Sequence, residues 1–399
     1  VLAVLLLALA GGTYLFRAEI QRVRAMATLF SGAEQYQNFN RMTEFIPYTT
    51  MSAAQAPYQF PERERIGLPE TFEYKGRVVG VEEFLKETDT AALLVLHDGV
   101  LVYERYLLTG GRDVNWISMS VAKSFISAAI GVAVDEGRMD IERAVTDYLP
   151  ELKGSAYDSV RVKDVLQMSS GAAWNEDYSD SGSDINRMGR LLALGGSSLD
   201  FAASLRRDFE PGTYNRYNSM DTQVLGLLLA GATGQSVTDY LESRLWHPLG
   251  MESDAYWLTD DLGVELAFFG LNATARDYAK LGELFRNHGR WGQQQLISAD
   301  WVRASTTPDA PHLMPNVHAD FPLGYGYQWW VPESAEGEYS AIGVYNQFIY
   351  VNPSRELVVV KLSAFSEYAS SLEQDAYREL ETIEFFRALG RHLQEASPC

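Results

Sequence analysis

Ala91-Ala92-Leu93-Leu94-Val95-Leu96-His97-Asp98-Gly99, running on as Val100-Leu101-Val102-Tyr103-Glu104-Arg105-Tyr106, decides the architecture. Two apolar, β-branched and aromatic runs flank an Asp-Gly pair, the signature of antiparallel strands joined by a tight turn. A hairpin this apolar needs further strands to cover it. The matching runs lie near the other end of the chain, in Gly324 to Val331, Asn346 to Asn352 and Glu356 to Ser363, before a closing helix from about Glu367 to Leu393. Both ends of the chain are thus expected to build one sheet. Between them the pattern is helical: Ser120 to Glu136 with a stop at Gly137, then Val162 to Met168, Met220 to Ala232, Val237 to Leu245, and Thr274 to His288 stopped by Gly289. The predicted class is α/β (α+β), an antiparallel sheet from both chain ends flanked by helices, with an all-helical insertion at about 138–310.

Upstream of the hairpin the chain divides twice. Residues 1–30 read as an N-terminal apolar helix. Val1 to Phe16 carry no charge before Arg17, and sixteen helical residues rise about 24 Å, slightly less than a bilayer core. A membrane anchor is expected, completed by residues upstream of Val1. A cleaved signal peptide competes with it, since Ala8-Leu9-Ala10 before Gly11 has the small-x-small form of a processing site. Either reading sends the protein to the membrane or out of the cell, on the periplasmic side of a bacterial inner membrane. Arg17, Arg22 and Arg24 sit on the wrong flank for that orientation unless the missing residues carry more charge. Residues 31–75, with Pro47, Pro57, Pro61 and Pro69, read as an extended, non-catalytic arm on the main domain of residues 76–399.

Composition narrows the function. With 33 Lys+Arg against 53 Asp+Glu the formal net charge is −20, which argues against a nucleic-acid-binding surface. The single cysteine, Cys399, excludes an intrachain disulfide framework, a cysteine-based metal site and an embedded cysteine nucleophile. No metal site and no cofactor are indicated, and the expected partner is a small molecule.

The chemistry centres on Ser120-Val121-Ala122-Lys123. An i, i+3 spacing puts hydroxyl and amine on one face of a helix, so a neutral Lys123 could take the Ser120 proton. The helix N-terminus favours negative charge developing nearby, and the apolar run from Phe125 to Ile130 supplies surroundings that depress a lysine pKa. Ser-x-x-Lys alone is a weak signal, equally consistent with a capping serine on a surface helix. Two segments add to it. Glu210-Pro211-Gly212-Thr213-Tyr214-Asn215-Arg216-Tyr217-Asn218-Ser219 makes a turn into a helix that can hold a tyrosine hydroxyl against the first site. Ala341-Ile342-Gly343-Val344 borders a strand and can present a backbone N–H to an oxyanion.

From about Leu93 to Lys361 the chain resembles the serine hydrolases of the β-lactamase and penicillin-binding-protein superfamily. The likeness is to the class C-like branch with family VIII esterases and 6-aminohexanoate-oligomer hydrolases. Supporting segments are Val165-Leu166-Gln167-Met168-Ser169-Ser170-Gly171, Leu245-Trp246-His247-Pro248-Leu249-Gly250-Met251 and Gly324-Tyr325-Gly326-Tyr327-Gln328-Trp329-Trp330. The resemblance implies Ser120 as acylated nucleophile, Lys123 as base and Tyr217 as proton shuttle, with Tyr214 as the fallback tyrosine. It implies an oxyanion hole from the N–H groups of Ser120 and Val344. Ser219 stands where the Tyr-x-Asn element has Asn, and is read as a tolerated variant. Ala341-Ile342-Gly343 replaces Lys-Thr-Gly, removing the cation that would meet a β-lactam carboxylate.

Trp174, Tyr178 and Asp180, in an acidic aromatic loop, are candidates to line the substrate cleft, as the corresponding loop does in the oligomer hydrolases; a solvated connector is the competing reading. Trp329 and Trp330 alternate across a strand, so one packs inward while Trp330 walls the cleft beside Gly343. His97, His247 and His288 read as surface residues. The expected function is a serine hydrolase cleaving a carboxylic ester or amide through an acyl-enzyme. The alternatives are a penicillin-recognising D-amino-acid peptidase or weak β-lactamase, and a non-catalytic binding or scaffold protein. Oligomeric state and substrate are left open.

Overall fold

The structure is a computed structural model in which residues 29–32, 34–317, 321–368 and 374–396 are described. The leading hairpin is strands β1 (Thr90–His97) and β2 (Val100–Tyr106), turned at Asp98 and Gly99, whose φ values of 51° and 70° suit a tight hairpin turn. Near the other end come β3 (Gly324–Tyr325), β4 (Trp330–Val331), β5 (Tyr339–Gly343), β6 (Gln347–Asn352) and β7 (Leu357–Ser363). They form one antiparallel seven-stranded sheet in the order β3-β4-β5-β6-β7-β1-β2, closed by the pairing of β7 with β1.

This sheet is buried on both faces, which explains why β1 is a continuous apolar run rather than an alternating one. Leu94 and Leu96 enter the main core with Val358 and Val360, while Leu93 and Val95 point into a second cluster with Phe385 and Leu389. Helices α1 (Ala122–Asp135) and α4 (Ala275–Arg286) belong to the first side, and α5 (Glu379–Ala396) covers the second. Two further helices shape the site, α2 (Asp184–Ala193) and α3 (Ser219–Thr233). The closing helix starts at Glu379, later than the expected Glu367; a 3-10 turn at Gln374–Tyr377 precedes it.

The insertion is not all-helical. It holds strands Ala255–Leu258 and Leu271–Ala273 and a small hairpin of Arg290–Trp291 with Gln294–Gln295. The first two join a second sheet with Tyr48–Met51 from the arm and Trp116–Ile117 from the approach to α1. Strands of two to four residues have no periodicity of their own and exist through partners distant in sequence. The arm is correspondingly more structured than an extended strap, for it contributes that edge strand and the strand Thr71–Tyr74, which pairs with Arg77–Gly80 at the start of the main domain. The expected apolar anchor helix falls on residues 1–28, outside the described residues, and Leu29 and Phe30 lie in a turn. Among the described residues no helix is long and apolar enough to cross a membrane.

Candidate active site

The polypeptide reaches the site from the second sheet. Trp116–Ile117 pairs with Ala273 and Asn272, and the Ser118 N–H donates to the Leu271 carbonyl at 2.8 Å. Met119 then takes φ 47°, a left-handed conformation costly for a side chain with a Cβ, and Ser120 follows in a single 3-10 turn that runs into α1. The neighbouring β5 strand holds this turn in place. A Cβ on Gly343 would stand 2.7 Å from the Ser118 carbonyl oxygen and 2.9 Å from the Ser120 nitrogen, so only glycine permits this approach. Ser120 is consequently 7% exposed, at the floor of a cavity.

Lys123, one turn along, is fully buried. Its Nζ donates to Ser219 Oγ at 3.0 Å and to the Phe268 carbonyl at 3.2 Å, and lies 5.1 Å from the centre of the Tyr217 ring. Burial pulls its pKa down to about 7, against the opposing pull of the Glu176 and Asp221 carboxylates. Burial drives the pKa of the Tyr217 hydroxyl well above the ordinary tyrosine value, with Tyr325 and Glu176 adding to the rise and Ser120 opposing it. Its ring stacks on Trp330 at 5.3 Å, while Trp329 is wholly inside the core. Tyr214, the fallback, is 39% exposed and stacks instead on Phe209.

Two groups absent from the sequence assignments complete the site. Ser219 accepts from Lys123 and its hydroxyl donates to Glu176 Oε1 at 2.6 Å, while its backbone N–H donates to Glu176 Oε2 at 3.0 Å. Glu176 also accepts from the Tyr178 hydroxyl at 2.7 Å and from the Trp174 indole. The serine read as a tolerated variant is therefore the link between lysine and carboxylate. Behind it Asn218 caps α3 and donates to Asp221 Oδ1 at 2.9 Å, which also accepts from Ser170 and Tyr157. Burial raises the Asp221 pKa to about 7, against hydrogen bonds from Ser170 and Tyr157 and the attraction of Lys123. The Ser169-Ser170-Gly171 motif thereby serves to seat Asp221 and α3.

A cavity of about 600 Å³ opens at Ser120, lined mainly by apolar side chains, with Val344, Tyr345, Phe268 and Tyr178 among them. Of the proposed cleft residues, Tyr178 lines it. Trp174 is buried against Phe201 and is not part of its wall; Asp180 is exposed, accepting from the Gly182 N–H at 2.7 Å. Gly343 and Trp330 shape the site indirectly, one against the Ser120 backbone and the other behind Tyr217. Ala341 and Ile342 are buried and apolar, so this segment presents no side-chain cation. Among the described residues no cluster of three or more His, Cys, Asp or Glu side chains is placed to hold a metal ion.

The sequence model of the family described as Beta-lactamase matches residues 81–384. The chain is 32% identical over 301 residues to the 6-aminohexanoate-dimer hydrolase of Paenarthrobacter ureafaciens, covering 73% of this chain and 76% of that protein. Among solved structures, a Bacillus anthracis protein described provisionally as a 6-aminohexanoate-dimer hydrolase superposes with a TM-score of 0.82 at 23% identity, over 93% of this chain and 97% of the other. A family VIII carboxylesterase superposes with a TM-score of 0.58 at 16% identity, over 76% and 92%. These two likenesses concern the fold.

Proposed function

The chain belongs to the beta-lactamase family and is a hydrolase of that superfamily, and from this premise we propose that it cleaves a carboxylic ester or amide through an acyl-enzyme on Ser120. One observation carries the reading: one turn along from Ser120, at a helix start, the buried Lys123 amine is held 3.0 Å from Ser219 Oγ and 5.1 Å from the centre of the Tyr217 ring.

Ser120 Oγ attacks the acyl carbon, and its proton passes to the Tyr217 oxygen. Lys123, neutral in a useful fraction near pH 7, is the base that the tyrosine draws on, so no free tyrosinate has to persist in a site that disfavours it. The N–H groups of Ser120 and Val344 take the oxyanion, in a turn kept open by Gly343. Tyr217 returns a proton to the departing oxygen or nitrogen. Water then deacylates Ser120 by the same relay in reverse.

A second reading, an amide whose acyl chain ends in an amine, is favoured by Asp260. This carboxylate lines the cavity and is 4% exposed; Oδ1 accepts the N–H groups of Leu262 and Val264 at 2.9 Å each, and Oδ2 has no hydrogen-bond partner among the described residues. Such a chain is in keeping with the name of the Paenarthrobacter relative. The apolar Ala341 and Ile342 weigh against a dedicated β-lactamase. The membrane-anchored or exported placement rests on residues 1–30 alone, and fractionation of cells making the full chain tests it.

Incubation with a fluorophosphonate, wild type beside Ser120→Ala, tests the whole reading. The expected result is a mass shift in the wild type alone, with loss of ester turnover in the folded variant. Labelling of both places the reactive nucleophile elsewhere, and labelling of neither favours a non-catalytic binding protein; either result removes Ser120 from its role.

A further inference from the structure

The cavity at Ser120 has two walls of different origin. Ile185, Met188 and Leu192 of α2 form one, inside the family-matched region; Leu29, Phe30 and Ile46 form another and precede residue 81, where that match begins. The arm that carries them is built into the site rather than laid on it. Its strand Tyr48–Met51 pairs with Ala255–Leu258, and the Thr259 N–H donates to the Pro47 carbonyl at 2.8 Å. The Phe39 carbonyl accepts from Ile117, three residues before Ser120, and the Phe30 ring stacks on Tyr345, beside the proposed oxyanion donor, at 6.0 Å and 16°.

The position of the proton shuttle assigns the cavity to one half of the substrate. A leaving group has to sit where Tyr217 can protonate it, yet neither Tyr217 nor Lys123 lines this cavity, whereas Ser120, Met119 and Val344 do. The cavity therefore lies on the acyl side of the scissile bond. At about 600 Å³ it has the size of a ligand pocket, and a two-carbon acyl group would leave most of it empty. Of its charged members, Arg190 donates to the Ser181 carbonyl at 2.7 Å, and Asp260 accepts the Leu262 and Val264 N–H groups on Oδ1, leaving Oδ2 without a partner among the described residues.

We propose that Leu29, Phe30 and Ile46 are specificity determinants, forming with α2 an acyl pocket that selects an unbranched, medium-length acyl chain. The proposal rests on Ser120 being the nucleophile and goes beyond it by saying which half of the substrate is selected and by what. Each methylene added to the acyl group is buried between Phe30, Ile46 and α2, a gain of roughly threefold in kcat/KM per methylene until the pocket is full.

The test is a kcat/KM series on p-nitrophenyl acetate, butyrate, hexanoate and octanoate. The wild type should climb to hexanoate or octanoate. Phe30→Ala and Ile46→Ala should lower the octanoate-to-acetate ratio about tenfold, and Phe30→Leu by less. A wild type that turns over acetate but gains nothing from longer chains overturns the acyl pocket and leaves Ser120 in place. Ratios unchanged in folded arm variants overturn the role of the arm. Absence of turnover on every ester together with no fluorophosphonate labelling overturns the Ser120 reading instead. Should the alanine variants not fold, hydrogen exchange on the wild type decides: an octyl fluorophosphonate, and not the ethyl reagent, should slow exchange across residues 29–46, and equal exchange with both refutes the contact.

Discussion

Replacing Glu176 with Gln should move the pH dependence of turnover in a direction opposite to that expected of a catalytic acid. The Glu176 carboxylate is tied to Lys123 through Ser219, by contacts of 3.0 and 2.6 Å, so Nζ and Oε1 are no more than about 5.6 Å apart. Its negative charge holds the lysine pKa up against burial, which alone would push it below about 7. Two unit charges at that separation interact by about 3 kcal/mol at an effective dielectric constant of about 20, equivalent to about two pH units. Gln keeps the shape and one acceptor oxygen while removing the charge. Because Lys123 has to be neutral to act as base, the acid limb of kcat/KM should fall from about pH 7 toward about pH 5 to 6. Measured on an ester from pH 4 to 9, the variant should be relatively more active than wild type at the acid end, even if its maximum is lower for loss of one Ser219 bond. Lys123 is buried and Glu176 is half-buried, so most of the displacement should persist at high salt. An acid limb that stays near pH 7, or rises, would show that Glu176 does not set the Lys123 pKa and would refute the electrostatic account of the site.

Gly343→Ala places a Cβ 2.9 Å from the Ser120 nitrogen and 2.7 Å from the Ser118 carbonyl oxygen, forcing the Ser120 turn or β5 to move. The loss in kcat should be about a hundredfold, the size seen when one oxyanion donor is lost, and a variant within threefold of wild type would remove this strand from the oxyanion hole. Lys123→Met should abolish turnover yet stabilise the protein. The lysine pKa falls from 10.5 unfolded to about 7 folded, so its cost is greatest below pH 7, where the buried amine must carry a proton, and fades as pH rises toward 10.5. After allowing for the Phe268 carbonyl left without its donor, a gain of about 2 kcal/mol is expected at pH 6 and less at pH 9, measured by denaturant unfolding. A gain that grows with pH would contradict the buried, neutralised lysine.

The parts of this protein that could be read directly are those whose cause is local. The Leu93 to Tyr106 hairpin announces itself through its apolar density and Asp98-Gly99, and the helix after Ser120 through its uncharged run, because both respond to neighbours a few residues away. Ser120 and Lys123 are legible for the same reason, being three residues apart on one turn. Tyr217 was placed by resemblance rather than by pattern, for nothing local distinguishes it from Tyr214. The short strands Ala255–Leu258 and Leu271–Ala273, expected as part of a helical insertion, carry too few residues to show a period and depend on Tyr48–Met51 and Trp116–Ile117 to exist.

By itself, then, the order of residues determined the leading hairpin and the apolar helix after Ser120, since each follows from periodicity and turn chemistry within one short segment, while the chemical type of the site was legible only through a resemblance spread over several segments. Only the tertiary structure decided the rest. It brought Glu176 onto Ser219 and Ser219 onto Lys123, pressed Gly343 against Ser120, and carried Leu29, Phe30 and Ile46 into the wall of the cavity. Those contacts join groups far apart along the chain, and a lysine pKa or a pocket wall depends on what surrounds a group in space, which is set by packing and desolvation and not by its neighbours in sequence.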